Sequence, residues 1–213
     1  LRSLQIVDGL YELQIPQGTT VQQALATFRA DTSVNVAEAN YRLMLERIPN
    51  DPSFGSLYGM NNTGQTGGLV DADIDATEAW DISTGTRNTI VAVIDSGVDY
   101  NHPDLAANMW RNSGEIAGDG VDNDGNGYVD DIYGYDFANN DADPMDDDDH
   151  GTHCAGTIGA VGNNGQGVVG VNWDATIASA KFLDANGSGT YADALEAVLY
   201  AEKIGARITS NSW

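Results

Sequence analysis

Six consecutive residues, Thr89-Ile-Val-Ala-Val-Ile94, carry no charge and run straight into Asp95-Ser96-Gly97. A strand apolar at every position, and not at alternate ones, has both faces covered, as in a parallel sheet with helices packed on either side. An acid at the end of such a strand stands at the carboxyl edge of the sheet, where α/β proteins keep their sites. Gly97 lets the backbone turn away at once. Alone, an Asp here is more often a turn or cap residue than a reacting one. Around it, helix and strand signals alternate. Residues 78–82 read as a short helix, 151–159 as a tightly packed helix of small residues and 176–182 as a strand. Residues 190–204 form the clearest helix: Thr190 and Asp193 make a capping box, Ala192, Leu195, Val198 and Leu199 share a face, and Gly205 can end it. Residues 207–213 read as one more strand. Alternation of this kind predicts an α/β fold with a mostly parallel sheet flanked by helices.

The beginning of the chain has a different pattern. Residues 9–16 alternate apolar and polar as a half-buried strand does, and Thr20 is placed to cap a helix with Val21, Ala24, Leu25 and Phe28 on its apolar side. Residues 34–45 are a second strand candidate. Ile48-Pro49-Asn50-Asp51-Pro52 then breaks the pattern, which divides the chain into 1–48 and 49–213. Two strands and one helix make a thin core for the smaller piece.

Charge narrows the partners. Nine Lys and Arg against 32 Asp and Glu give −23, which argues against nucleic acid or an anionic membrane surface. No apolar run approaches the roughly 18 residues that span a bilayer. Acid is concentrated between Asn112 and Asp149, where twelve Asp and one Glu occur, and no Lys or Arg stands between Arg111 and Lys181. Within that stretch Asp122, Asp124, Asn126, Tyr128, Asp130 and Asp131 place oxygen ligands at alternate positions, with Gly127 where a calcium loop turns sharply. Tyr133 stands where an EF-hand requires its bidentate Glu, so the loop is not a true EF-hand. Calcium is favoured over a merely solvated acidic run. The single Cys154 excludes a disulfide within these residues.

His150-Gly151-Thr152-His153-Cys154-Ala155-Gly156 is the second chemical element. A His at a helix start, followed by Gly and small residues, allows a strand's carboxylate to press close. The same His-x-x-His also suits a metal pair. Taken together with Val93-Ile94-Asp95-Ser96-Gly97, this segment resembles the subtilase family. Asn101-His102-Pro103-Asp104-Leu105, Asn186-Gly187-Ser188-Gly189 and Asn211-Ser212-Trp213 follow in that family's order. The order Asp then His, with Ser to come, fits subtilisin and not the chymotrypsin or α/β-hydrolase arrangements.

The resemblance implies the N-terminal half of a subtilisin-like fold and a serine endopeptidase acting through an acyl-enzyme. Asp95 would orient His150, and His150 would serve as general base and then general acid. Gly187, Ser188 and Gly189 on one side, with Ser212 and Trp213 on the other, would receive a peptide as an added strand. A second calcium site would use Asp104 with the loop 163–168, through the Asn164 side chain and the Gln166 and Val168 carbonyls. Residues 1–48 resemble the rear part of the α+β, ferredoxin-like subtilase propeptide, which acts as intramolecular inhibitor; Val36-Ala-Glu-Ala-Asn-Tyr41 matches its ending, with Ala39 where Pro is usual. Secretion follows from the family. The family's nucleophile lies in a Gly-Thr-Ser segment, and none occurs in these residues. The expectation is a fragment that stops before the serine and is inactive by itself. The rival reading is a non-catalytic, calcium-binding, protease-like module. A His/Asp metal enzyme built on His150 and His153 is weaker, since both have better roles. The run Asp146–Asp149 would be a subsite for basic residues or, at least as readily, a calcium-binding or solvated face.

Overall fold

The computed structural model describes residues 2–3, 9–40 and 47–213. It divides into two compact units, Leu1–Leu45 and Glu46–Trp213.

In the first unit, β1 (Arg2–Ser3) pairs antiparallel with β2 (Tyr11–Glu12). Helix α1 (Val21–Ala30) begins at the predicted cap: Thr20 Oγ1 accepts from Gln23 N, and the Gln23 side chain accepts from Thr20 N. None of its residues is buried. The strand expected over 9–16 is thus two residues long. Residues 34–40 form no ladder, because alternation supplies a face but not a partner, and 41–46 lie outside the described residues.

The second unit has a four-stranded sheet in the order β4–β5–β3–β6, with every pair parallel. Its strands are β3 (Gly85–Asp95), β4 (Gly134–Asp136), β5 (Asp174–Lys181) and β6 (Ile208–Ser210). Its helices are α2 (Ala76–Trp80), α3 (His150–Gly159) and α4 (Tyr191–Lys203). Alternate residues of the central strands face opposite ways. Val93 and Ile177 pack with Ala155 of α3, whereas Ile94 and Ala180 pack with Ala194, Ala197 and Tyr200 of α4. The two helices therefore cover opposite faces, as the continuous apolar run requires.

Helix α4 differs from expectation in its buried side. Thr190 Oγ1 caps Asp193 N, but the stripe Ala194, Ala197, Tyr200 and Ala201 meets the sheet, while Leu195, Val198 and Leu199 are exposed. Small side chains let the helix axis come close to the strands. β4, which sequence periodicity missed, has only three residues inside the acidic stretch.

The chain visits β4 and β5 on one side of β3, then crosses through α4 to β6 on the other side. The carboxyl end of β3 is thus the point where strand order reverses, the place where open α/β sheets bind their ligands.

Candidate active site

Asp95 closes β3 with no solvent exposure, and His150 opens α3 with its ring 47% exposed. His150 Nδ1 lies 2.7 Å from Asp95 Oδ1. A carboxylate at this distance accepts the Nδ1 proton, which leaves Nε2 as the basic nitrogen. The hydrogen bond with Asp95, and then its charge, hold the imidazole above its ordinary value, with smaller contributions from Asp148 and Asp146. Asp95 Oδ1 also accepts from Ser96 N, whereas Oδ2 is buried without a partner.

The close approach of helix and strand depends on Gly151. A Cβ there would sit 2.0 Å from Gly97 O and 3.1 Å from Asp95 Cβ. Ser96 Oγ accepts from Gly151 N and donates to Asp146 Oδ1, while Asp146 Oδ2 accepts from Thr152 N and Thr152 Oγ1. Burial pushes the Asp146 carboxyl up, but donors from Thr152, Ser96 and Asp148 outweigh it and leave it below its usual range. Asp146 is thus a clamp between strand end and helix start. Its neighbour Asp147 pairs with Lys181, and Asp148 and Asp149 are exposed.

Both predicted substrate segments lie near the pair, one beside Cys154 and both against Phe182, whose N–H donates to Asp95 O. Cys154 Sγ lies 3.2 Å from Ser212 Oγ and 3.9 Å from His150 Nδ1, so Ser212 stands beside the pair. Trp213 is exposed and not a core residue, its ring edge-on to Phe182 at 4.8 Å. Gly189 packs so closely on Phe182 that a Cβ would lie 2.2 Å from its carbonyl oxygen. Gly187, Ser188 and Gly189 are exposed, in a turn tied by Asp184 N to Ser188 O and Ser188 N to Asp184 Oδ1. Phe182 therefore lies between both segments, a position that the sequence marked only as the end of a strand.

Among the acidic-loop residues, Asp124 and Asp131 converge with Glu115, one oxygen of each within 4.8 Å of the others. Asn126 joins them, its Nδ2 on Asp124 and Asp131. Asp122 turns instead to the N–H groups of Gly125, Asn126 and Gly127, and Asp130 to those of Gly118 and Gly120. The Tyr128 ring packs on Tyr135, Phe137 and Tyr200. Burial pushes the Asp131 carboxyl up, only partly offset by donors from Tyr200, Asn112 and Asn126. Glu115, the one Glu of the stretch, was missed because it lies seven residues before Asp122.

At the second expected calcium position, Asp104 Oδ1 accepts from Asn164 Nδ2 and Oδ2 from Val168 N. Gln166 N donates to Asn164 Oδ1. Asp104, Asn164 and the 163–168 loop are thus brought together as expected, with the carboxylate hydrogen-bonded to the loop. Among the described residues His153 joins no cluster of three metal-ligating groups, and His102 Nδ1 accepts from Asp104 N.

A doubly wound α/β domain with a buried acid holding an exposed imidazole at its switch point is the class that fold and site define. Comparison with known proteins narrows it. The profile of the subtilase family matches residues 86–213, and the chain belongs to that family. It is 44% identical over 147 residues to subtilisin-like protease 1 of Plasmodium vivax, covering 68% of this chain and 23% of that protein. It is 35% identical over 193 residues to a thermophilic serine proteinase of Bacillus sp. strain AK1, covering 90% and 40%. The fold matches that of an Aeromonas sobria serine protease solved in complex with a chaperone, with a TM-score of 0.59 and 24% identity over 78% of this chain and 26% of that one. The chain thus spans less than half the length of these relatives. No helix among the described residues is long and apolar enough to cross a membrane.

Proposed function

We propose that the chain carries the acid and base of a serine endopeptidase that hydrolyses peptide bonds through an acyl-enzyme. The observation that carries this reading is the 2.7 Å bond from His150 Nδ1 to a fully buried Asp95, with the ring exposed. Asp95 fixes the tautomer and stabilises the imidazolium; Nε2 takes a proton from a serine hydroxyl and returns it to the leaving amine. The attacking group is the serine, and these residues hold no Gly-Thr-Ser segment to supply it. The 213-residue chain is therefore expected to show no turnover of a peptide substrate. The same domain continued into a serine-bearing segment is expected to cleave it and to lose that activity on His150→Ala. Turnover that survives His150→Ala would overturn the reading.

The substrate is an extended peptide received between 187–189 and 212–213 through backbone hydrogen bonds. Residues 1–48 act as the tail of an intramolecular inhibitor, and the parent protein is secreted. Calcium is the cofactor, held by Glu115, Asp124 and Asp131: three convergent carboxylates suit a hard cation, and Asp131 is a buried charge that it would offset. Asp131 also accepts from Tyr200 OH of α4 at 2.7 Å, so the ion would brace the loop against that helix. Titration calorimetry on the 213-residue chain should give a calcium site weakened at least about tenfold by Glu115→Gln. Equal affinity in the variant would remove Glu115 from the ligand set, while Asp104→Asn is expected to leave the affinity of this particular site unchanged.

A further inference from the structure

Lys181 is the one lysine or arginine buried among the described residues, 1% exposed, in a chain of net charge −23. It ends β5 in register with Asp95 of β3 and Asp136 of β4. Its three ammonium protons have three acceptors: Ser96 O at 2.6 Å, Leu183 O at 2.7 Å and Asp147 Oδ1 at 2.5 Å. Each belongs to a different part of the site. Ser96 follows the acid that orients His150. Leu183 begins the segment leading to Gly187, Ser188 and Gly189. Asp147 lies three residues before His150. Leu183 N, in turn, donates to Asp95 O. A buried ammonium needs its full complement of acceptors, and here the complement spans strand end, substrate edge and helix lead-in.

We propose that Lys181 is a positioning residue, which fixes the substrate-binding edge and the Asp95–His150 pair in one geometry. The edge's role rests on the reading of residues 187–189 given above; the clamp itself does not. Removing the ammonium strands the buried Ser96 carbonyl and the partly buried Leu183 carbonyl and frees Asp147, so the strand end and the edge loosen together. The charges around Lys181 are Asp95, Asp136, Asp147 and Asp184. Those acting on His150 are Asp95, Asp146 and Asp148.

The test is a proton NMR titration of His150 in the 213-residue chain. Loss of geometry and loss of charge move its midpoint in opposite directions. A weakened bond to Asp95 lowers the midpoint, whereas removal of a nearby cation alone raises it. In Lys181→Met the midpoint is expected to fall by on the order of half a unit or more. Lys181→Arg keeps the charge but cannot place a planar fork on three convergent acceptors, so it should fall as well. A midpoint that is unchanged or raised in Lys181→Met, or retained in Lys181→Arg, overturns the proposal. Should both variants fail to fold, Asp147→Asn decides the matter, since Asp147 is half exposed and its loss leaves the core intact. Amide exchange at Gly187 and Ser188 is then expected to quicken by on the order of tenfold, and unchanged exchange overturns the clamp. A peptide that fails to shift the resonances of residues 187–189 in the wild type would sink the substrate-edge reading and leave the clamp standing.

Discussion

Replacing Asp95 by Asn is expected to bring the His150 midpoint down to its ordinary value or below, and in a serine-bearing form of the domain to cut kcat about 10⁴-fold. The Asn side chain is nearly isosteric, so strand end and helix start keep their places, held by Ser96, Asp146 and Gly151. What changes is the proton. A carboxylate accepts from Nδ1–H and leaves Nε2 basic; an amide that presents its NH₂ to Nδ1 places the proton on Nε2, the wrong nitrogen for a base. Stability carries the same signature. Because folding raises the His150 pKa, the pair contributes stability that is fully present below the unfolded value of about 6.5 and is lost as pH rises through the folded value. Thermal unfolding followed from pH 5 to 9 should show this loss in the wild type, and a flatter profile in Asp95→Asn. A His150 midpoint that stays raised in the variant would mean that Asp95 is not its principal partner.

An acid after an all-apolar strand, or a His followed by Gly and small residues, is ambiguous by itself; the pair was legible in the sequence because its two segments together resemble the subtilase family. Its supports were not. Ser96, Asp146 and Lys181 act through contacts between segments separated by dozens of residues, and no local period marks a hydrogen bond from Lys181 to Ser96. The same distinction divides the fold. β3, β5 and α3 follow from continuous apolar or small-residue runs, which need no partner to be recognised. The buried stripe of α4 could not be chosen by hydrophobicity, since closeness to the sheet favoured Ala194, Ala197 and Ala201 over the larger Leu195 and Leu199. In the acidic loop, alternation of oxygen-bearing residues suggested six ligands. What the pattern could not show is convergence: Asp124 and Asp131 meet Glu115, while Asp122 and Asp130 face N–H groups elsewhere in the loop.

Trp80→Ala should cost about 3–5 kcal/mol of folding stability, the range for deleting a large aromatic side chain from a core. Trp80 is 2% exposed at the end of α2 and joins Phe54, Met60, Val169 and Trp173 in one cluster. Its ring meets Trp173 edge-on at 5.2 Å and Phe54 at 6.0 Å, and its Nε1 donates to Val171 O at 2.8 Å. Truncation would empty the space and leave that carbonyl unpaired. The consequence reaches α3 from its far end. The segment 170–172 returns along the helix, with Gly170 N on Ala160 O, Val171 N on Thr157 O and Asn172 N on Ile158 O. Trp80 secures this segment, and the segment secures the carboxyl turns of the helix that begins with His150. Since domains are typically stable by only about 5–15 kcal/mol, such a loss consumes much of the total. Trp80→Phe, which keeps a ring but not the donor, should cost less, about 1–3 kcal/mol. Urea unfolding of the three proteins measures the series, and His150 should titrate as in the wild type wherever the variants remain folded, because the Asp95 contact lies at the opposite end of α3. A cost below about 1 kcal/mol for Trp80→Ala would show that the cluster packs against the domain without bracing it, whereas a shifted His150 midpoint would show that the helix transmits the loss along its length.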